Sequence, residues 1–497
     1  MSTVPARRPF RRRLLRFAGL VLAWALGALF TVAVGDALYS STLPALRPWH
    51  TIELRSEFDA GQAGGGYGWD DWLAQEARLF DEVRALRAAH FDPAQDSPIS
   101  RFAPDGGPYA ARLARDWNRS FSIRATDERA VALLLHGLSD APYTMRGIAG
   151  ALVEHGVSVY GLRLPGHGTL PSGLDAASWQ DWLAAVEIAV RHVRREHPDR
   201  PFYIVGYSTG ATLALKFSAD AVGRNRLDLL PRRLLLVSPA LGVSPFAPLA
   251  NVQRLVSRWG VAPKARWANV GPELDPYKYE SFAKNAGAQV ASLIRALFAD
   301  LERMDRDGSI GRLPPVTGFQ SVVDATVSTA DLAGRFYGLL RGGTSELVLF
   351  DVNRRADVAP LLAFSPKAVV AAFERSPRRD YRLTVLGNAE GGPTLTERSL
   401  PSGASRPLER PLAAAWPDDV YSLSHVALPF PPDDPLYALR SGRAADGLPS
   451  LGALAMRGER GALAIGAADQ LRLRSNPFFD EMVGRMRAAI DADLAPR

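Results

Sequence analysis

From residue 129 onward, short apolar runs alternate with stretches whose apolar positions recur every three or four residues. The runs cover residues 131–135, 157–162, 202–205, 234–237, 316–323 and 346–350. Runs of about five apolar residues fit strands buried on both faces, and the intervening stretches fit amphipathic helices. The alternation predicts an α/β fold, with a mostly parallel central sheet and helices on both faces. One helix start is explicit. Ser178-Trp179-Gln180-Asp181 reads as a capping box opening an amphipathic helix through residue 193. At the other end, Asn476-Pro477 precedes Phe478, Phe479, Met482, Val483, Met486 and Ile490, a closing helix with one apolar face.

Two segments break the alternation. Residues 242–313 are helical in pattern and rich in large apolar residues, including Phe246, Trp259, Trp267 and Phe282. Their place between two core strands predicts a helical cap. Residues 353–415 are polar and rich in proline and arginine, with one strand-like piece at 381–386. They predict a surface insertion between the core at 314–352 and its C-terminal part at 416–497. The first half of the core is then 129–241, preceded by an extension over 36–128. In that extension, Trp72, Leu79, Val83 and Leu86 fall on one face of a helix near 70–90.

The most hydrophobic stretch lies outside this pattern. Residues 17–35 are uncharged, and as a helix at ~1.5 Å per residue they span about 28 Å, close to the hydrocarbon thickness of a bilayer. The six arginines of the 1–16 tail precede the stretch and Asp36 follows it. The expectation is a single-pass helix in a bacterial inner membrane, with the N-terminus cytoplasmic and everything after residue 36 periplasmic; the alternative is a signal peptide cleaved at Gly35-Asp36-Ala37. The same arginines account for all but one unit of the +7 net charge. The body is therefore nearly neutral, which argues against a nucleic-acid partner. Cysteine is absent, which excludes disulfides and thiolate metal sites.

The chemistry concentrates at Gly206-Tyr207-Ser208-Thr209-Gly210. A strand pattern precedes it and a helix pattern follows. A nucleophile on such a turn needs glycines two residues to either side, so that the backbones can pass closely. Of eight histidines only His425 follows Ser208, and it is the candidate general base. The acid that fixes its tautomer should lie between them. Asp324, after the run 316–323, is the first choice, and Asp351, after the run 346–350, is the rival. The second N–H of an oxyanion hole is expected from Leu138, in the turn His136-Gly137-Leu138, beside that of Thr209. His136 and His167 lie in glycine turns before the serine and are read as structural.

These motifs resemble the bacterial carboxylesterase and monoacylglycerol lipase branch of the α/β-hydrolases. The likeness rests on residues 133–138 (LLLHGL), 164–169 (LPGHGT), 179–182 (WQDW), the Ser208 pentapeptide and the late Ser424-His425. It covers roughly residues 129–350 and 416–497. The resemblance implies hydrolysis of short- or medium-chain acyl esters by Ser208, His425 and Asp324 through an acyl-enzyme. It also implies no cofactor and no metal, with a small acyl ester as the partner. The membrane segment, the extension and the insertion before His425 depart from that branch.

Overall fold

The structure, a computed structural model, describes residues 9–64, 66–242, 263–327, 329, 332–354, 365–375, 379–389, 392–438, 446–452 and 472–496. The side chains of residues 9–15, 22, 25, 26, 29 and 333 also lie outside the described part.

The N-terminal helix α1 runs over Pro9–Thr42, and α2 over Trp69–His90. The strands follow: β1 (Phe121–Ile123), β2 (Ala130–Leu135), β3 (Val157–Leu162), β4 (Phe202–Tyr207) and β5 (Arg233–Val237). Between them lie α3 (Arg146–Val153), α4 (Ser172–Ala176), α5 (Trp179–Glu196) and α6 (Thr209–Gly223). A two-stranded piece, β6 (Trp267–Asn269) with β7 (Phe282–Ala283), precedes α7 (Lys284–Asp307). The core resumes with β8 (Val316–Ser321), β9 (Glu346–Phe350) and α8 (Pro366–Glu374). Then come β10 (Arg382–Asn388), β11 (Thr394–Leu400), β12 (Leu408–Ala415) and α9 (Phe479–Leu494).

Ten strands form one sheet in the order β1-β3-β2-β4-β5-β8-β9-β10-β11-β12. From β3 through β10 every pairing is parallel, and β1, β11 and β12 join antiparallel at the edges. Strand β2 shows why the runs are apolar throughout. Val131, Leu133 and Leu135 pack on one face with Trp182, Leu213 and Leu297, whereas Ala132 and Leu134 pack on the other with Leu152, Met482 and Met486. The capping box of α5 forms as read: Ser178 Oγ accepts from the Asp181 N–H, and the Ser178 N–H donates to Asp181 Oδ2 at 2.7 Å. In α9, Phe479, Met482, Val483, Met486 and Ile490 are buried.

Three expectations change. First, the surface insertion over 353–415 supplies three strands of the central sheet, where one strand-like piece was read. Strand β11 carries only Leu395 and Leu400 as large apolar residues, and β12 holds Pro411, Glu409 and Arg410. A proline and charges suit an edge strand, where one side needs no ladder partner, and they erase the apolar signal. Second, the cap over 242–313 is divided. Residues 243–262 lie outside the described residues, and α7 packs against α6 within the helical layer of the body. Third, the extension is built into the core. Phe58, Trp69 and Trp72 join the main cluster, and the guanidinium of Arg163 is buried between Glu57 (2.9 Å) and Glu76 (3.0 Å).

Among the described residues no helix is long and apolar enough to cross a membrane. The expectation of a span at 17–35 falls partly on residues whose side chains are outside the described part, and the structure does not carry it. Among the described residues, the polar contacts that tie α1 to the body lie at its far end. Tyr39 Oη donates to Ala268 O at 2.9 Å, Lys264 Nζ to Leu43 O at 2.6 Å, and Lys284 pairs with Asp36.

Candidate active site

Ser208 stands between the last residue of β4 and the first of α6, with φ 52° and ψ −116°. A positive φ on a residue with a side chain is strained, and it persists only where the surroundings hold it. Two features do so. The Ser208 N–H donates to Val237 O at 2.9 Å, and the Ser208 carbonyl accepts from the N–H of Ala211 at 3.1 Å. The flanking glycines are obligatory. A Cβ on Gly206 would stand 2.5 Å from Ala211 Cα, and one on Gly210 would stand 2.3 Å from Leu135 O. The sequence therefore needs glycine at both positions to fold β4 into α6 through this turn.

His425 opens a single helical turn, His425–Ala427, and is buried. Its Nδ1–H donates to Asp324 Oδ2 at 2.8 Å, and the Asp324 side chain has no solvent exposure. Strand β8 stops at Ser321, so Asp324 lies three residues past its end, in the loop rather than at the strand terminus read from sequence. Asp324 receives three further donors: Thr326 N–H at 2.8 Å, Val327 N–H at 2.9 Å and Gln320 Nε2 at 2.9 Å. Burial by itself raises its pKa, but His425 and the two backbone N–H groups outweigh that and hold it below the ordinary carboxylate range. An ionised carboxylate there fixes the Nδ1–H tautomer and leaves Nε2 free to accept a proton.

The rival carboxylate is occupied elsewhere. Arg354 donates to Asp351 Oδ2 through Nη2 at 2.5 Å and Nε at 3.0 Å. The structure brings His425 to the turn carrying Ser208: the Tyr207 and His425 rings are 5.3 Å apart, and Tyr207 Oη donates to His425 O at 3.4 Å. Among the described residues, the N–H groups of Leu138 and Thr209 have no hydrogen-bond acceptor in the protein, as donors held for a ligand oxygen must be.

His136 and His167 fill structural roles. His136 Nδ1–H donates to Gly137 O at 2.9 Å, while its Nε2 accepts from the Leu164 N–H at 3.0 Å. His167 Nδ1 bonds Pro165 O at 3.0 Å. Burial lowers both pKa values, that of His167 to about 3, so both rings stay neutral.

A cavity of about 430 Å³ adjoins these residues. Tyr207 and Val426, the chain neighbours of Ser208 and His425, are on its wall. The sequence reading missed the charge on the remainder: Asp140, Asp275, Lys278, Glu280, Arg472 and Arg474. Asp140 and Lys278 form an ion pair at 2.6 Å, and Tyr437 Oη donates to Asp275 Oδ2 at 2.5 Å. No motif marks these residues. For Asp275 and Glu280 the one signal is the density of acids over 273–280, on a stretch read only for its apolar content.

Residues 126–336 match the family of serine aminopeptidases, S33. Over 83 residues the chain is 34% identical to a thermostable monoacylglycerol lipase of Bacillus sp. (strain H-257), a match covering 17% of this chain and 32% of that protein. The chain thus spans about a third of the length of that curated relative. Among solved structures, one from work on the metagenome-derived lipolytic enzymes LipS and LipT is 20% identical with a TM-score of 0.37, covering 47% of this chain and 87% of that one. The monoacylglycerol lipase of Paleococcus ferrophilus is 19% identical with a TM-score of 0.35, covering 47% and 89%. With its parallel sheet and nucleophile turn, the chain has an α/β-hydrolase fold. Its sequence similarities, over residues 126–336, lie with the lipase- and esterase-like α/β-hydrolases.

Proposed function

We propose that this protein hydrolyses carboxylic esters through an acyl-enzyme on Ser208. The observation that carries the reading is the joint placement of a strained serine turn, two N–H groups without acceptors and the Asp324–His425 hydrogen bond. His425 takes the Ser208 proton as Oγ attacks the ester carbonyl. The N–H groups of Leu138 and Thr209 hold the oxyanion. His425 then returns the proton to the leaving alcohol, and water attacks the acyl-enzyme by the same route in reverse. The role needs no metal or cofactor.

The charged wall of the adjoining cavity suits the polar alcohol of a monoacylglycerol-like ester better than it suits an alkyl chain. Burying alkyl surface against six charged side chains would desolvate them without offering a hydrogen bond in return. A peptidase or an acyltransferase would use the same serine, and product analysis with competing acceptors separates these. The reading is tested by fluorophosphonate labelling of the full chain. Wild-type protein should label, and Ser208→Ala and His425→Ala should not; a folded wild type that stays unlabelled removes the proposal.

Membrane anchoring through residues 17–35 is part of the same reading. It is supported by the uncharged run behind six arginines and by the exposure of Phe17, Leu20, Trp24 and Phe30 along α1. Helix α1 ends bonded to Ala268, next to Asn269 of the cavity wall, so the anchor would hold the cavity close to the lipid from which an ester is drawn. Release of the protein from membranes by alkaline carbonate would end this part of the proposal and leave the esterase reading intact.

A further inference from the structure

A second cavity, of about 640 Å³, lies between α2 and the loop of residues 104–119, away from Ser208. Four arginines line it (Arg84, Arg87, Arg115 and Arg119) against two acids, Asp105 and Asp116. Two of the four are already paired. Arg84 bonds Asp81 at 2.8 Å on the exposed surface, and Arg119 bonds Asp116 at 3.4 Å, while Asp116 also accepts from Asn118. Among the described residues the guanidinium groups of Arg87 and Arg115 have neither a hydrogen bond nor an ion pair.

Arg87 is the telling one. Its Nε is wholly buried without a partner, and a buried guanidinium that makes no hydrogen bond is costly. Burial first, and then the neighbouring Arg101, lower its pKa to about 10, against the opposing influence of Asp116. Arg101 cannot supply an acceptor, since it donates to Asp275 O and Asn118 Oδ1. Three of the guanidinium groups are also pinned on aromatic faces: Arg87 over Phe102 at 5.8 Å, Arg115 over Trp117 at 5.3 Å and Arg119 over Phe80 at 4.1 Å. Stacking fixes the plane of a guanidinium and leaves its N–H edge for a planar or tetrahedral oxyanion.

We propose that this cavity binds a phosphate group carried by a small amphiphile, with Arg87 and Arg115 as its ligands. Phosphate supplies the paired acceptor oxygens that two open arginine forks satisfy. Phe80, Val83, Phe91 and Leu113 on the same wall give the attached carbon chain an apolar bed, and the volume exceeds the need of a bare ion. The site does not depend on the chemistry at Ser208.

The test uses the full chain in non-ionic detergent, titrated calorimetrically with dihexanoyl-phosphatidylglycerol and, separately, with inorganic phosphate. The lipid should bind, and Arg87→Gln and Arg115→Gln should each weaken it by at least about tenfold. Arg115 is exposed and Arg87 makes no hydrogen bond, so both variants should keep the wild-type circular dichroism spectrum. Inorganic phosphate binding as tightly as the lipid, with the same loss in both variants, would identify the phosphate alone as the ligand and still support the site. Binding of neither probe, or binding that both variants retain, overturns the proposal.

Discussion

Two buried carboxylate regions flank the candidate catalytic residues, and their surroundings push them in opposite directions. In the loop after β8, Asp324 collects His425 and three further donors and is held below the ordinary carboxylate range. Glu280 on the cavity wall and Glu273 buried behind it are pushed up to about 7 and about 6, first by burial. For Glu280 the next largest influence is the like charge of Glu273 itself. Glu273 gains the Ser281 N–H on one oxygen, but its Oε2 is buried without a partner. Burial acts alike in both regions. What separates them is the neighbouring charge, His425 beside Asp324 and a second carboxylate beside Glu280, together with the number of donors that favour the ionised form. A carboxylate that must stay charged beside a histidine is thus surrounded by N–H groups, and one that lines a cavity near neutrality is left short of them.

The largest effect should follow from neutralising the first region. Asp324→Asn keeps the size of the side chain but permits the wrong imidazole tautomer, and should lower kcat on p-nitrophenyl acyl esters by about 10³- to 10⁴-fold. The same group links to stability. Its folded pKa is depressed, so its contribution is complete above the unfolded value of about 3.9 and is lost as pH falls through the folded value. The melting temperature of the wild type should drop below pH ~4 for this reason, and Asp324→Asn should flatten that drop. Equal activity in the two proteins would show that the carboxylate does not orient His425.

How much of this was legible beforehand depended on how locally each feature is encoded. The parallel strands β2 to β5 were readable because both faces are buried, which leaves the apolar run unbroken. The Ser208 turn was readable because the two glycines are steric necessities within five residues. The pairing of His425 with Asp324 is a hydrogen bond in the structure, and elimination and position after a strand pointed to those two residues, although position alone also allowed Asp351. The last two strands, β11 and the edge strand β12, were not legible. Their partners are supplied by the rest of the sheet, so Pro411, Glu409 and Arg410 can sit in a strand that local preference opposes. The carboxylates at and behind the cavity wall were hidden for a related reason. Glu273, Asp275 and Glu280 acquire their character from Arg101, Tyr437 and each other, and Arg101 and Tyr437 are distant in sequence.

A smaller effect, of opposite sign in pH, tests the second region. The folded pKa of Glu280 is raised above its unfolded value. Its stabilising contribution is therefore complete below pH ~4.3 and is lost as pH rises toward about 7. Glu280→Gln keeps a side-chain oxygen for the Leu274 N–H, which now donates to Glu280 Oε2 at 2.7 Å. The variant should be more stable than wild type at pH 8, by about 2 kcal/mol, and nearly equal to it at pH 5. Thermal melts across that range decide the matter. A gap that is the same at both pH values would mean that Glu280 is already ionised at pH 5 and that the two regions do not differ as described.

The smallest effect is expected at Asp351, and it sharpens the comparison because Asp351 shares its position with Asp324. Each follows the C-terminal end of a parallel strand, and those strands, β8 and β9, are neighbours. Position alone gives either the right to face His425. Arg354 decides against Asp351 by taking one of its oxygens with two guanidinium nitrogens, at 2.5 and 3.0 Å. Asp351→Asn keeps an oxygen for Arg354 and should change kcat by less than about threefold. Its stability cost should stay near 1 kcal/mol, since the arginine is partly exposed and the pair is screened. The measurement is the ratio of the two rate losses, Asp324→Asn against Asp351→Asn, under one substrate and one pH. A ratio near 10³ assigns the orienting carboxylate to the loop after β8. A ratio below one would hand it to the loop after β9, and His425 would then have to leave Asp324 before catalysis.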